Sequence, residues 1–293
     1  MKAIKRLWKA EAWFVLFTIP GIALFCLAVV IPLILGAKYS FTNWDGVSNV
    51  LHYIGWKNYD HVINDPQFWG ALGHTFKFAI ILTLLVNVIS LLLALVLDSY
   101  LKFRTIFRTI FYLPTIISVV LAAFIWNNNY SKALPSLFAF FGYDDMTSPL
   151  GNPDYALFGL IIIAVWQSIG TPMIIYIAGL QNIPPELLES AEIDGAGTMY
   201  KFWHVTFPLI APSVTINAIL TLTGSLKIFD LVYIATKGGP GFSTEVLSTY
   251  IYRVAYTSFQ GGYGAALSMV FFVVLVLVTI VQLLILRKRE VEI

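Results

Sequence analysis

The stretch ESAEIDGAGTMYKFWHVTFPLIAPS, residues 189–213, is a long polar and acidic segment lying between apolar runs of this 293-residue chain. Its flanks decide how it is read. Residues 208–234 on one side and 156–180 on the other are predominantly apolar. Each is long enough to cross a bilayer, which takes roughly 20 residues of helix with every backbone group bonded inside it. Similar runs occur at 12–37, 78–97, 109–126 and 265–286, the last stopping at Arg287, Lys288 and Arg289. Composition agrees: 58% of residues are hydrophobic and 12% charged, about half the charged share of an ordinary soluble domain. The expected fold class is an all-α polytopic membrane protein with six transmembrane helices. Residues 1–11 form a short N-terminal segment, 12–293 the transmembrane domain, and 181–207 the connection that holds the polar stretch.

The first run has the basic start of a signal peptide, but it is too long and lacks a small-residue cleavage site. Cys26 follows Phe25 rather than a small residue, which argues against a lipoprotein. A retained helix is expected. A single cysteine also excludes an intrachain disulfide or a cysteine-cluster metal site.

Orientation follows from Lys and Arg, which accumulate in cytoplasmic loops. With the N terminus inside, the inner side holds Lys2, Lys5, Arg6 and Lys9, then Lys102, Arg104 and Arg108, then Lys201, then Arg287, Lys288 and Arg289. The outer side holds Lys38, Lys57, Lys132, Lys237 and Arg253. Eleven against five places both termini, and the 181–207 connection, in the cytoplasm. The basic residues serve as topology signals, and a net charge of +2 implies no nucleic-acid partner.

Within the connection, Pro184 and Pro185 suit a helix start, where a missing N–H costs nothing. Glu186, Glu189 and Glu192 follow at three-residue spacing, and Asp194-Gly195 breaks the helix because glycine accepts positive φ. Thr198 is expected to cap a second short helix running through His204. Pro208 and Pro212 mark where the chain passes into the membrane. A helix, tight turn and helix projecting into the cytoplasm is either a solvated connector or an element that docks in a groove of a soluble partner.

Several chemistries find no support. The sequence has no GxxxxGK[ST] phosphate loop and no HExxH pair. His52, His61, His74 and His204 are scattered across loops and helix ends, as interfacial or bonded polar groups rather than metal ligands or acid/base groups.

Intramembrane polar residues are the pointer to a solute path, because a charge at a helix centre costs roughly 3 kcal/mol on insertion scales. Lys227 and Asp230 lie one turn apart in the fifth run, on the face of Asn217 and Gly224, with Tyr233 near. They form either a structural ion pair or part of a pathway, where charge-assisted bonds and an aromatic face suit a hydroxyl-rich sugar. Asn87, Trp166 and Gln167 are either interhelical packing groups or solute contacts. Gly170 and Pro172 are expected to kink the fourth run and free carbonyls. Trp44, Trp56 and Trp69 read as interfacial anchors. A secondary transporter would share these features, but its ion site calls for carboxylates or unwound helix at mid-membrane; Asp230 is the sole clear carboxylate, with Lys227 beside it.

Spacing adds a resemblance. Glu189-Ser190-Ala191, two residues, Asp194-Gly195-Ala196, eight residues, then Val205-Thr206-Phe207-Pro208 resembles the EAA loop of binding-protein-dependent ABC importer permeases. Ser190, Val205 and Phe207 are mild departures from the family pattern. The segment FDLVYIATKGGPGFSTEVLSTYIYRVAY, residues 229–256, together with FTNWDG and IGWKNYDHVINDPQFWGALGHTFKF, resembles the carbohydrate-uptake branch. The Gly-Gly-Pro turn is similar to that of the larger maltose-transporter permease type, without its extra N-terminal helices.

The resemblance implies a type I ABC importer permease fold in a bacterial or archaeal cytoplasmic membrane. It further implies a non-catalytic subunit that binds no cofactor, with ATP and magnesium held by partner chains. Those partners are two ATPase subunits, a second homologous permease and an extracytoplasmic solute-binding protein delivering a carbohydrate. Glu189, Ser190, Ala191, Asp194, Gly195, Ala196 and Pro208 are then the ATPase-coupling residues. Independently of the resemblance, intramembrane polarity makes Asn87, Trp166, Gln167, Asn217, Lys227, Asp230 and Tyr233 the substrate-path candidates, and a metal site is not expected.

Overall fold

A computed structural model describes residues 16–48, 50–99, 102–142 and 147–286. The N-terminal segment 1–11, its basic residues, and Arg287, Lys288 and Arg289 lie outside the described residues. Among the described residues the regular structure is helical, and the one β-type pairing is an isolated bridge between Thr42 and Tyr53.

In chain order the helices are α1 (Leu16–Tyr39), α2 (Lys57–Asn64), α3 (Pro66–Asp98), α4 (Arg104–Ile116) and α5 (Val119–Phe140). There follow α6 (Ala156–Ser168), α7 (Gly170–Gln181), α8 (Pro185–Ile193), α9 (Thr198–Leu209) and α10 (Ala211–Leu226). The last are α11 (Asp230–Ala235), α12 (Leu247–Tyr252) and α13 (Gly261–Leu286). Three of them, α1, α3 and α13, are each long and apolar enough to cross a membrane. Three bent pairs pass the same test: α4 with α5 at 99°, α6 with α7 at 47°, and α9 with α10 at 68°. Six spans result when each bent pair is taken as one.

Three of the departures of the helices from the apolar runs have a plain local reason. The second run begins at residue 78, whereas α3 begins at Pro66, because a helix continues through amphipathic sequence that hydropathy alone leaves out. The run 109–126 is broken: Pro114 withholds a backbone donor near the end of α4, Ile117 turns extended, and Ser118 caps α5 by accepting the Leu121 N–H at 3.3 Å. The run 208–234 is broken twice, at Ile210 and again after Leu226, so Lys227 and Asp230 do not share one continuous helix.

The chain forms two compact units. In the first, which comprises the described residues up to Asp65 and Ile251–Phe272, the turn-rich segment after α1 is tied by polar side chains. Asn58 donates to the Ser40 and Thr42 carbonyls at 2.8 and 2.9 Å, and Tyr263 donates to Asp65 at 2.6 Å. Asp45 accepts the N–H groups of Val47 and Ser48 and the Ser48 hydroxyl, and these bonds hold its carboxyl below the usual range.

The second unit comprises Pro66–Tyr250 and the described residues from Val273. Here α3 is the axis. Phe78, Leu82 and Val86 recur every four residues along one ridge and pack with Leu160 and Ile163 of α6. About two to three turns further on, Ala94 and Leu97 pack with Met173, Tyr176 and Ile177 of α7. Lipid tails are as apolar as leucine, so close fit rather than exclusion from water holds such helices together. Gly170 shows how close the fit is: a Cβ there would lie 2.9 Å from Tyr112 Cα and 3.1 Å from the Phe111 carbonyl oxygen.

Candidate functional site

The polar stretch is a compact helical hairpin. Pro184 is the N-cap of α8 and Pro185 its first helical residue, as the missing N–H of proline favours. At the other end the Gly195 N–H bonds the Glu192 carbonyl at 3.0 Å and the Ala196 N–H bonds the Ala191 carbonyl at 2.9 Å. This is the Schellman pattern, with Gly195 in the left-handed region at φ 77°. Asp194-Gly195 therefore ends the helix as the sequence led one to expect. Thr198 does not cap the next helix: Gly197 takes the N-cap position, with no side-chain capping bond, and Thr198 is already helical. Lys201 returns a charge-assisted bond to Glu192 across the turn. Pro208 lies near the end of α9, beside the bend into α10.

Burial shows which face of the hairpin is open. Leu188 packs against the Leu97 and Tyr176 cluster. Glu186, Glu189, Ser190, Glu192 and Asp194 are exposed, and so are large apolar side chains, Ile193 at 86% and Met199 at 70%. Tyr200 and Trp203 are exposed as well. An acidic surface with protruding apolar groups is unlike a merely solvated connector. The hairpin leaves the unit beside the end of α3: Gln181 donates to Asp98 at 3.0 Å, while Arg108 donates to the Leu97 carbonyl at 3.0 Å and lies 3.9 Å from Asp98.

A second polar constellation, half-buried at its centre, lies among α3, α7 and α10. Asn87 donates to the Thr83 carbonyl at 2.8 Å and to the Thr221 hydroxyl at 2.9 Å, and accepts from the Tyr176 hydroxyl at 2.7 Å. Its amide is thus engaged on both ends as an interhelical link. Around the breaks, side chains reach displaced or shared carbonyls. Ser90 donates to the Ile169 carbonyl at 2.8 Å, Asn217 to that of Pro172 at 3.1 Å, and Gln167 to that of Ile117 at 2.8 Å. The kink expected at Gly170 and Pro172 is present, but these carbonyls are held by side chains rather than left open.

Beside this constellation lies a cavity of about 480 Å³ bordered by α3 to α7, α10 and the start of α11. Asn217 and Gln167 line it, as do Thr115, Thr221 and Ser225. Trp166 packs edge-on to Trp126 at 5.7 Å and is not among the lining residues. Lys227 and Asp230 are both exposed at the break after α10 and outside the cavity lining, and among the described residues no ion pair joins them. Tyr233 stacks on Phe229 at 5.1 Å. Sequence reasoning did not single out Tyr176, Thr221, Ser90 or Thr115. Hydroxyl groups are common in membrane helices, and nothing in a linear pattern tells which of them meet. Among the described residues no group of three or more His, Cys, Asp or Glu could hold a metal ion.

A helical membrane domain with broken spans around a polar cavity, carrying an exposed helical hairpin at one end, is the architecture of a transport permease. The chain belongs to the family of binding-protein-dependent transport system inner membrane components, which it matches over residues 87–291. It is a multi-pass permease subunit of an ABC importer. It is 34% identical over 98% of both chains to the "Probable starch degradation products transport system permease protein AmyD" of Thermoanaerobacterium thermosulfurigenes. It is 33% identical to the "Multiple sugar-binding transport system permease protein MsmF" of Streptococcus mutans, over 89% of this chain and 90% of that one. A chain of a bacterial ABC transporter that imports the acidic polysaccharide alginate superposes with a TM-score of 0.84, at 24% identity, over 97% of this chain and 99% of that one, and so shares the fold.

Proposed function

We propose that this subunit imports a sugar or oligosaccharide, forming half of the translocation pathway and taking its energy from separate ATPase chains that grip the hairpin at residues 181–207. The single observation that carries the coupling role is the exposed, turn-locked hairpin, whose acidic and apolar side chains face outward from a rigid base. Glu189, Ser190, Ala191, Asp194, Gly195, Ala196 and Pro208 form the lever. A rigid helix seated in an ATPase groove converts closure of the ATPases into rocking of the helices joined to it. The carbohydrate assignment is supported by the names of the two relatives, both permeases of sugar or starch-product systems.

In this reading two ATPase subunits hold ATP and magnesium, a second homologous permease completes the pore, and a solute-binding protein delivers the sugar outside. The chain itself is not an enzyme. Both termini and the hairpin are cytoplasmic, a topology supported by the excess of basic residues on that side. Lys227, Asp230 and Tyr233 face the partner permease across the path, which their exposure in the single chain favours. Asn87 and Trp166 support the path through packing, and Asn217 and Gln167 meet solute in the cavity.

The test is uptake in proteoliposomes holding the complete importer and its binding protein. ATP-dependent, vanadate-sensitive accumulation of saccharide is expected. Accumulation driven by an ion gradient without ATP would overturn the proposal.

A further inference from the structure

The root of the hairpin holds a side-chain contact that is only half made. Three helices meet there: α3 and α7, which end at Asp98 and Gln181, and α4, whose second turn carries Arg108. Gln181 and Arg108 both reach the last residues of α3. Gln181 donates to Asp98 Oδ1 at 3.0 Å, while Arg108 Nη2 donates to the Leu97 carbonyl at 3.0 Å and stops 3.9 Å from Asp98 Oδ1. Arg108 Nε is buried, and among the described residues nothing accepts from it. A donor stranded on a charged group costs free energy. Capping the end of α3 does not account for it, because a lysine would bring the same charge to that end on a freely turning ammonium.

The shape of the guanidinium does account for it. Nε and Nη2 lie on one edge of the fork and together match the two oxygens of a carboxylate. Among the described residues Asp98 is the one carboxylate within 4.0 Å of Arg108, and an approach of about 1 Å would bring it from 3.9 Å into bonding distance. Packed helices shift by about that much in switching transitions. We propose that Asp98 exchanges partners when the ATPases close: Gln181 holds it in the arrangement seen here, and Arg108 takes it through Nε and Nη2 once the hairpin is displaced. The block that moves is α4 with α7, which touch so closely that a Cβ on Gly170 would lie 2.9 Å from Tyr112 Cα, one turn beyond Arg108. Gln181 leads from α7 into the hairpin, which begins at Pro185. Displacing the hairpin therefore carries Gln181 and Arg108 together past the end of α3. Arg108 and Asp98 are positioning residues, a latch that favours the closed state without touching solute or nucleotide. The inference rests on the coupling role proposed for the hairpin.

Two substitutions separate a latch from a static cap. Arg108→Lys keeps the charge beside the Leu97 carbonyl and loses the fork; Asp98→Asn keeps an oxygen for Gln181 and loses the charge and one acceptor. The readout is ATP hydrolysis by the complete importer in proteoliposomes with MgATP as the ligand, so no sugar is needed. Losing a bond made only in the closed state raises the ATP concentration needed to reach it. The apparent KM for ATP is expected to rise about fivefold in both variants, the low end of coupling between sites. The kcat, the assembled amount and the melting temperature are expected to stay close to wild type, since a partly exposed pair adds little to stability. A wild-type KM in Arg108→Lys, with or without a lower melting temperature, would reduce the contact to a cap and overturn the latch. Should that variant fail to assemble, Asp98→Asn carries the test alone, and a wild-type KM there would overturn it equally. ATPase chains that do not bind the unaltered subunit would overturn the coupling role, and the latch with it.

Discussion

The hairpin at 185–209 and the half-buried link around Asn87 are both polar, yet they are held in opposite ways. In the hairpin the turn is closed by backbone bonds from Gly195 and Ala196, and most side chains are left to the surroundings. Around Asn87 the side chains close the structure, joining three helices and bonding carbonyls near their breaks. Water explains the contrast. An exposed side chain is satisfied by solvent and remains available to a partner, whereas one inside the bilayer must find its partner within the protein. A docking surface can therefore be built from free side chains, and a transmembrane core cannot.

Two glycines separate these regions most sharply. Gly170 is needed for space: a Cβ would meet Thr115 Oγ1 at 2.5 Å and Tyr112 Cα at 2.9 Å. Gly170→Val should therefore force α7 from α4 at a cost of about 3 kcal/mol, the upper end for overpacking. The protein should fail to reach the membrane in normal amount, measured by immunoblot of membrane fractions. Normal amounts and normal assembly would show that the contact relaxes cheaply.

Gly195 is needed for conformation instead, since nothing lies within 4 Å of a Cβ built there. Gly195→Val should cost about 2 kcal/mol of strain confined to the turn. ATPase recruitment and transport should fall while the membrane-embedded part remains folded, as co-purification and uptake would report. Gly195→Asn should retain most activity, because asparagine visits the left-handed region more readily. If Val and Asn behaved alike, backbone conformation would not be the reason for glycine here.

Asn87→Leu removes both a donor and an acceptor and leaves Tyr176 and Thr221 to find other partners. Interhelical bonds in membranes are modest, so the expected loss is about 1 kcal/mol, with a lower melting temperature in detergent and a smaller effect on ATPase recruitment. A fall in recruitment as large as that of Gly195→Val would mean the two regions are mechanically one. Smallest of all, Lys201→Ala removes the pair with Glu192, whose carboxylate side chain is 62% exposed. Its effect should be below about 0.5 kcal/mol and should fade at high salt. Thermal melts at two salt concentrations would read it, and a larger effect that persists in salt would show the pair to be shielded.

How much was legible beforehand follows from the same contrast. The hairpin was readable because local rules act on neighbouring residues: Pro184 and Pro185 start a helix and Asp194-Gly195 stops it, whatever lies around them. The misreading within the hairpin, Thr198 as a cap, is a shift of one residue between two residues that both suit the position. The break after Pro114 also had a local signal, in the proline and in Ser118, which a reading by hydropathy alone passed over. The break after Leu226 had none comparable, and it changed the setting of Lys227 and Asp230 from one helix face to an exposed junction.

By itself, then, the sequence determined the helical membrane class and the shape of the exposed hairpin, through hydropathy and local turn chemistry. It could not determine that Tyr176 meets Asn87, that Thr221 completes the link, or that Thr115 and Asn217 keep unbonded atoms beside one cavity. The partners in that link are 89 and 134 residues apart, and their meeting depends on how closely α3, α7 and α10 pack. Only the tertiary structure decided that, because a polar side chain in a bilayer takes its role from whichever group the packing brings within bonding distance.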